Sequence, residues 1–336
     1  MKIQLIFMIS LGIEGTAHTF GVGIAKDEEI IANAKDVYKP KHGFGIHPSE
    51  AAAHHREVSG KVLEAALETA GIKLADIDLL SYSAGPGLPP CLKATAEFAQ
   101  NLIDKTKKPL IPVNHCIAHI EIARLLTKAK DPIVIYVSGG NTQIIGYASG
   151  RYRVFGETQD IAIGNALDTF IRETTGEYPG GPALEKLASN GKNYVELPYV
   201  VKGMDVSFSG IITAALNKYK QKENLGITLD DICHSLQETC FAMLVEVTER
   251  ALAHTAKSEV MLTGGVAANK RFAEMCSIMC AERAARFAAC PMEYAGDCGA
   301  NIAWTGLLQH RYGAKPVGKA DFKRNWRTDD VEVNWI

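Results

Sequence analysis

The chain has 336 residues, which at roughly 150 per domain suggests two domains; with 47 % hydrophobic and 22 % charged residues it is not disordered, collagen-like or coiled-coil. Against 38 Asp and Glu stand 36 Lys and Arg, a formal net charge of −2, so no strongly basic domain advertises nucleic acid. Eight cysteines without a CxxC pair, in a chain long enough to bury a core unaided, are expected to be reduced thiols of a cytosolic protein.

The opening MKIQLIFMISLGI is apolar, but Glu14 interrupts it and no small-residue cleavage site follows, so a signal peptide is not expected. No stretch approaches the roughly 20 apolar residues of a membrane span. From Met8 short apolar strands alternate with glycine turns: Ile9 to Ile13, Gly21 to Ala25 and Ile30 to Ala34. A helix capped by Ser49 and stopped by Gly71 follows, then a buried strand from Ile77 to Ser83 and the turn Ala84 to Pro90. A helix at about 91 to 105, a strand from Leu110 to Val113 and a helix opening at Asn114 complete the first half.

The second half repeats the scheme. Strands are expected at Ile133 to Val137, Gln143 to Tyr147 and Tyr152 to Gly156, then at Glu259 to Leu262, with a glycine turn and a helix from about Ala267. Two meanders of matching length leading into βα units imply a duplicated α/β lobe and a cleft. The expected first lobe is 8–131, completed by a helix and tail at about 300–336. The second is 132–299, with a mostly helical insertion at about 163–256 that the duplicated core does not need.

The turns Gly12-Ile-Glu-Gly-Thr16 and Ser138-Gly-Gly-Asn-Thr142 occupy equivalent places in the repeat, and Thr263-Gly-Gly-Val-Ala-Ala-Asn269 follows a buried strand. One such turn alone is ordinary hairpin chemistry. Three at repeat-consistent positions favour phosphate and nucleotide contacts of the actin and sugar-kinase type. There is no GxxxxGK[ST] and no GxGxxG followed by a ribose-binding acid.

His115-Cys-Ile-Ala-His119 puts two imidazoles on one helix face, where they either share a metal ion or serve as packing and capping groups. A third ligand is available at Asp297, which reads equally as a helix N-cap. Tyr136 is by itself an ordinary strand aromatic. Asp168 and Glu185 suit ribose hydroxyls or a solvated helix start. A zinc protease of the HExxH type would need a glutamate where Cys116 stands.

Leu11-Gly-Ile-Glu-Gly-Thr-Ala-His18, the HxxxH pair, Tyr136-Val-Ser-Gly-Gly-Asn-Thr-Gln143, Phe155 to Asp160, Gly164 to Asp168, Pro179-Gly-Gly-Pro182, Ser207-Phe-Ser-Gly210 and Gly264 to Asn269 occur in that order. Together, from about Met8 to Trp335, they resemble the universal tRNA threonylcarbamoyladenosine transferase family. The form is similar to its archaeal and eukaryotic branch, the catalytic subunit of the KEOPS complex, formerly described as a glycoprotease. The resemblance implies an ASKHA fold, that of actin, sugar kinases and heat-shock chaperones. It implies transfer of a threonylcarbamoyl group from threonylcarbamoyladenylate to N6 of the adenosine 3′ of the anticodon, in tRNAs reading ANN codons, with release of AMP.

By the same resemblance His115, His119, Tyr136 and Asp297 hold one divalent metal, iron or zinc. Tyr136, Val137, Ser138, Gly139 and Gly140 contact the adenylate, or ATP or AMP with or without Mg. Asp168, Gly181 and Glu185 lie on the ribose side, and Asn269 at the base. Implied partners are tRNA, a small kinase-like ATPase, further small KEOPS subunits and an upstream synthase supplying the adenylate, with no membrane and in the cytoplasm. Other classes that suit parts of the pattern are a chaperone-like ATP-binding module and a metallopeptidase.

Seven residues, Met1 to Phe7, precede the family's usual start, and are expected to be either an upstream start assignment, with Met8 the alternative start, or a disordered extension. The end at Trp335-Ile resembles the point where some archaeal relatives continue into a fused kinase. Residues 311–327 carry six basic groups, Arg311, Lys315, Lys319, Lys323, Arg324 and Arg327, against Asp321. Further cations stand at Lys39, Lys41 and Arg56, and at Lys105, Lys107 and Lys108. A near-neutral sum thus conceals local patches, and the isolated chain is expected to hold tRNA weakly.

Overall fold

A computed structural model describes residues 7–40 and 45–336. Met1 to Ile6 of the N-terminal extension and Lys41 lie outside the described residues. The chain forms two compact units. The first takes the described residues of Met1–Pro40, Ile46–Leu126 and Asp297–Ile336; the second takes those of Lys41–Gly45 and Thr127–Gly296.

In unit 1 the meander β1 (Ile9–Glu14), β2 (Thr19–Lys26) and β3 (Glu29–Val37) leads through α1 (Pro48–Ala70) to β4 (Leu79–Gly85). Then come α2 (Pro89–Thr106), β5 (Leu110–Asn114) and α3 (His115–Thr127). In unit 2 β6 (Ile133–Val137), β7 (Thr142–Ala148) and β8 (Arg151–Glu157) form the second meander. The helices α4 (Ile163–Thr175), α5 (Gly180–Ala188), α6 (Ser209–Lys220), α7 (Lys222–Leu225) and α8 (Leu229–Thr255) follow, with a small hairpin of β9 (Val201–Lys202) and β10 (Asp205–Val206) among them. β11 (Glu259–Thr263), α9 (Lys270–Glu282), β12 (Arg286–Ala289) and α10 (Met292–Ala295) close unit 2, and α11 (Gly299–Arg311) returns the chain to unit 1.

The duplication is visible in the sheets. Unit 1 has the order β3-β2-β1-β4-β5 and unit 2 β8-β7-β6-β11-β12. In each the first three strands are antiparallel and the last two join in parallel, with Ile13 beside Tyr82 in one sheet and Thr263 beside Tyr136 in the other. β4 and β6 are buried along their whole length, as strands covered on both faces must be.

Strand periodicity explains how unit 1 is layered. Leu11, Ile13, Val22 and Ile24 point to one face, where they pack with Val62 and Ala66 of α1 and Ala96 and Ala99 of α2. The alternate positions Gly12, Gly21 and Gly23 point to the other, where α11 lies. A Cβ on Gly12 would sit 2.0 Å from the Ala303 amide nitrogen, so the glycines admit the helix backbone itself.

Three expectations change in detail. The N-cap of α1 is the extended residue His47, with Pro48 in the first turn; Ser49 already lies inside the helix. The helix expected from about Ala267 starts at Lys270, because Gly265–Ala268 form a 3-10 turn and Asn269 caps α9 by accepting from the Phe272 amide at 3.0 Å. The strand β12 and the β9–β10 hairpin, whose strands of four and two residues are too short to show a period, lie outside those expectations. Gly71 stops α1 in the left-handed conformation, as anticipated. Among the described residues no helix is long and apolar enough to cross a membrane.

Candidate metal centre

β5 delivers α3 directly. Asn114 ends the strand, and its Oδ1 accepts from the amides of Cys116 and Ile117, so it caps the helix that begins at His115. His115 and His119 then stand one turn apart on the same face, ring centroids 4.7 Å apart and nearly perpendicular. Asp297 arrives from the segment between α10 and α11. Its Oδ1 lies 3.2 Å from His119 Nε2 and 3.5 Å from His115 Nε2. One ligand atom from each of the three residues falls within 4.8 Å of the others, a group that could hold a metal ion.

The surroundings are those of a ligand set. His119 is 1 % exposed and His115 7 %, while the Asp297 side chain keeps 17 % of its surface open. Behind His115, Glu14 Oε2 is 3.0 Å from Nδ1, which directs Nε2 toward Asp297. The other oxygen of Glu14 accepts from the amide and hydroxyl of Thr16 at 2.8 and 2.7 Å. On the far ring, the Asn301 amide lies 3.4 Å from His119 Nδ1 and accepts from the Cys298 thiol.

Burial and charge oppose one another across the three residues. Burial alone would depress His115, but the Glu14 and Asp297 carboxylates prevail and raise it to about 9. For His119 burial prevails over its hydrogen bond to Asp297, and the imidazole is held neutral. Burial would raise Asp297, yet the two histidines hold its carboxyl well below the usual carboxylate range. Metal ligation would displace the His115 proton, and with both imidazoles neutral a divalent cation would balance the Glu14 and Asp297 carboxylates. Two imidazole nitrogens and one carboxylate oxygen form a donor set of intermediate softness, suited to iron or zinc.

Glu14 and Asn301 are functional candidates that pattern reading missed. For Glu14 a signal was present, because a glutamate ending an otherwise apolar buried strand needs a partner. Nothing in the spacing pairs it with a histidine 101 residues away.

Tyr136, at the end of β6 in unit 2, is fully buried and its hydroxyl accepts from Asn141 Nδ2 at 3.4 Å. The following turn is built from the chain itself: Ser138 Oγ accepts from the amides of Gly140 and Asn141. It rests on the first turn of α4, where a Cβ on Gly164 would come within 2.6 Å of the Ser138 carbonyl and Thr142 Oγ1 accepts from Ile163. Gly139 and Gly140 are exposed, and a Cβ on either would meet nothing within 4 Å.

The remaining expected residues form a chain of helix-end contacts within unit 2. Asp168 accepts from the Gly180 amide at the start of α5, next to Gly181, at which a Cβ would also meet nothing. Glu185, from the same helix, accepts from the Lys270 amide at the start of α9 and lines a cavity of about 630 Å³ with His234, Gln237 and Arg271. Asn269 is buried and donates to Gln237 at 2.8 Å. The Phe155 to Asp160 and Ser207 to Gly210 segments also meet, Asp160 accepting from the amides of Phe208 and Ser209. The other glycine turn of the repeat behaves differently. At Gly15 and Thr16 the amides are already accepted by Ser83 Oγ and Glu14, so no donor is left there for a phosphate.

Residues 28–304 match the family described as tRNA N6-adenosine threonylcarbamoyltransferase. A protein of that name from Thermococcus kodakarensis is 52 % identical over 329 residues, 98 % of this chain and 100 % of that protein. A Methanocaldococcus jannaschii protein, named a probable bifunctional tRNA threonylcarbamoyladenosine biosynthesis protein, is 54 % identical over 98 % of this chain, which spans 61 % of its length. Among solved structures, the ROK hexokinase of Thermus thermophilus superposes with a TM-score of 0.50 at 14 % identity, over 91 % of this chain and 100 % of that one, a likeness of ASKHA fold. With its twin sheets, its buried histidine pair and a relative matched end to end, this chain belongs to the tRNA N6-adenosine threonylcarbamoyltransferase family.

Proposed function

We propose that the chain transfers threonylcarbamoyl from threonylcarbamoyladenylate to N6 of the adenosine 3′ of the anticodon in tRNAs reading ANN codons. The observation that carries this reading is the group of buried His115 and His119 with partly open Asp297, braced by Glu14, inside a chain that matches the family over nearly its whole length. The amine nitrogen attacks the carbamoyl carbonyl carbon; the new C–N bond forms as the C–O bond to phosphate breaks. AMP departs with the electron pair and the amine proton passes to solvent.

His115, His119 and Asp297, with Tyr136 as a fourth ligand, would hold a divalent ion, iron or zinc, which would supply Lewis-acid stabilisation for the carbonyl oxygen. The remaining task of the chain is positioning, since the adenine amine is a weak nucleophile and AMP a good leaving group. Val137 and the Ser138-Gly139-Gly140 turn take the phosphate side of the adenylate. The open glycines let backbone approach, and the start of α4 favours an anion. Asp168, Gly181 and Glu185 take the ribose and Asn269 the base side. The same groups accept ATP or AMP, with or without Mg. The target adenosine must leave its stack to react.

The partners in this reading are tRNA, a synthase supplying the adenylate, a small kinase-like ATPase and further small subunits of a KEOPS assembly. Eight free, buried cysteines fit the reducing cytoplasm. The test is reconstitution: purified chain, partners, threonylcarbamoyladenylate and unmodified tRNA, read by nucleoside mass spectrometry. Transfer should appear with the wild type and vanish, with the bound metal, in His115→Ala/His119→Ala. Modification undiminished in that double variant overturns the metal mechanism.

A further inference from the structure

The segment after α11 runs along unit 1 held by its main chain. The Val317 amide donates to the Leu110 carbonyl at 2.8 Å, at the start of β5, and the Asp321 amide pairs with the Tyr82 hydroxyl. The Lys323 amide donates to the Ala84 carbonyl at 2.7 Å, and Gly87 donates to the Arg324 carbonyl. Gly85 is required for this passage, since a Cβ there would lie 2.0 Å from the Lys323 carbonyl oxygen. The tail then reaches Asn114, whose Nδ2 donates to the carbonyls of Trp326 and Arg327 while its Oδ1 caps the helix of His115 and His119. One amide thus ties the basic tail to the metal helix.

Main-chain anchoring leaves the side chains for other work. Of the six cations counted in this segment, Arg311 pairs with Asp27 and Arg327 with Asp329. Lys315, Lys319, Lys323 and Arg324 are exposed and form no ion pair among the described residues; Lys323 lies over the Trp326 ring at 4.9 Å. Asp321 is the only acid within that run, and its carboxylate accepts from the Phe322 amide. At about 3.3–3.6 Å per residue, Lys319 to Arg324 covers at most about 18 Å, the reach of a few nucleotides.

We propose that Lys319, Lys323 and Arg324 form a phosphate track that seats single-stranded RNA backbone beside the metal helix. The track rests on the transferase reading for its choice of RNA. Main-chain seating makes it a fixed rail, so binding need order only the side chains and not the backbone, and phosphate contacts of this kind set register without reading bases.

The experiment uses the full, metal-loaded chain and an anticodon stem–loop RNA, titrated by fluorescence anisotropy at several salt concentrations. Lys323→Glu/Arg324→Glu should weaken binding about tenfold or more at low salt, and lower the slope of log affinity against log salt by about 1.4, about 0.7 for each phosphate no longer neutralised. The milder Lys319→Gln/Lys323→Gln/Arg324→Gln should act in the same direction, with melting temperature and metal content unchanged in both. In the transfer assay KM for tRNA should rise while kcat at saturation holds. Wild-type affinity and salt slope in both variants overturn the track, as does loss of a protein partner with RNA binding intact. RNA binding that depends on the tail, in a chain that transfers nothing, supports the track and sinks the transferase reading instead.

Discussion

The turns that follow β1 and β6 stand at the same place in the duplicated sheet and have diverged in opposite directions. In unit 1 Glu14, Gly15 and Thr16 are buried, the amides of Gly15 and Thr16 are engaged, and the glutamate braces His115 of the candidate metal centre. In unit 2 Gly139 and Gly140 are exposed, and the turn is held by its own serine. Gly15 has a packing reason, since a Cβ would fall 2.1 Å from Thr95 Oγ1, whereas Gly139 and Gly140 have none among the described residues. A duplicated scaffold therefore offers two equivalent loops, one spent on internal support and the other left open. The presence of glycines at equivalent places is no guide to which of the two a turn does.

Substitutions can break this contrast at either turn. Gly15→Ala should be the most damaging. The added methyl displaces a threonine hydroxyl that donates to the Gly15 and Cys91 carbonyls, costing about 3 kcal/mol in chemical denaturation. A Gly15→Ala protein of wild-type stability would remove the distinction between the two turns. Glu14→Gln comes next: it keeps an acceptor for Thr16 but loses the charge facing His115, so metal affinity should fall about 10–100-fold in competition titrations while the fold persists. Unaltered affinity would reduce Glu14 to a turn residue.

His55 offers a pH test of how closed the buried turn is. It packs against the same turn, 3.2 Å from where a Gly15 Cβ would stand. Burial, aided by the neighbouring His54, lowers it to about 4 against an ordinary 6.5. Below 6.5 the unfolded chain binds the proton and the folded chain does not, so stability should fall by about 2 kcal/mol between pH 7 and pH 5 from this group. Unfolding midpoints of His55→Leu should lack that share of the acid loss; an identical pH profile would mean water reaches the ring. The smallest stability effect belongs to Gly140→Ala, within about 0.5 kcal/mol. Its signature should be a raised KM for the adenylate at unchanged melting temperature, and a substitution silent in both would leave the open turn without a ligand.

Much of the architecture was legible because it rests on local periodicity. β6 was placed residue for residue, since a run of five apolar residues ending before Ser-Gly-Gly admits little else. Gly71 marked the end of α1 for an equally local reason, the left-handed conformation that glycine tolerates. β12 escaped because Arg-Phe-Ala-Ala has no such pattern and becomes a strand only by pairing with β11. The start of α1 was misread because proline in the first turn, rather than a serine hydroxyl, defines it.

At the metal centre the division is sharper. The i, i+4 spacing of His115 and His119 places both on one helix face whatever the fold, so sequence alone determined that pair, along with the strand order of each meander and the twofold repeat. Only tertiary structure brought Asp297 within 3.2 Å of His119, set Glu14 behind His115, assigned Gly12 to packing against α11, and laid the basic tail beside Asn114. The physical reason is range. Helical pitch and strand alternation act between residues a few positions apart, whereas these contacts join residues separated by 101 to 291 positions and form only when two whole faces are buried together.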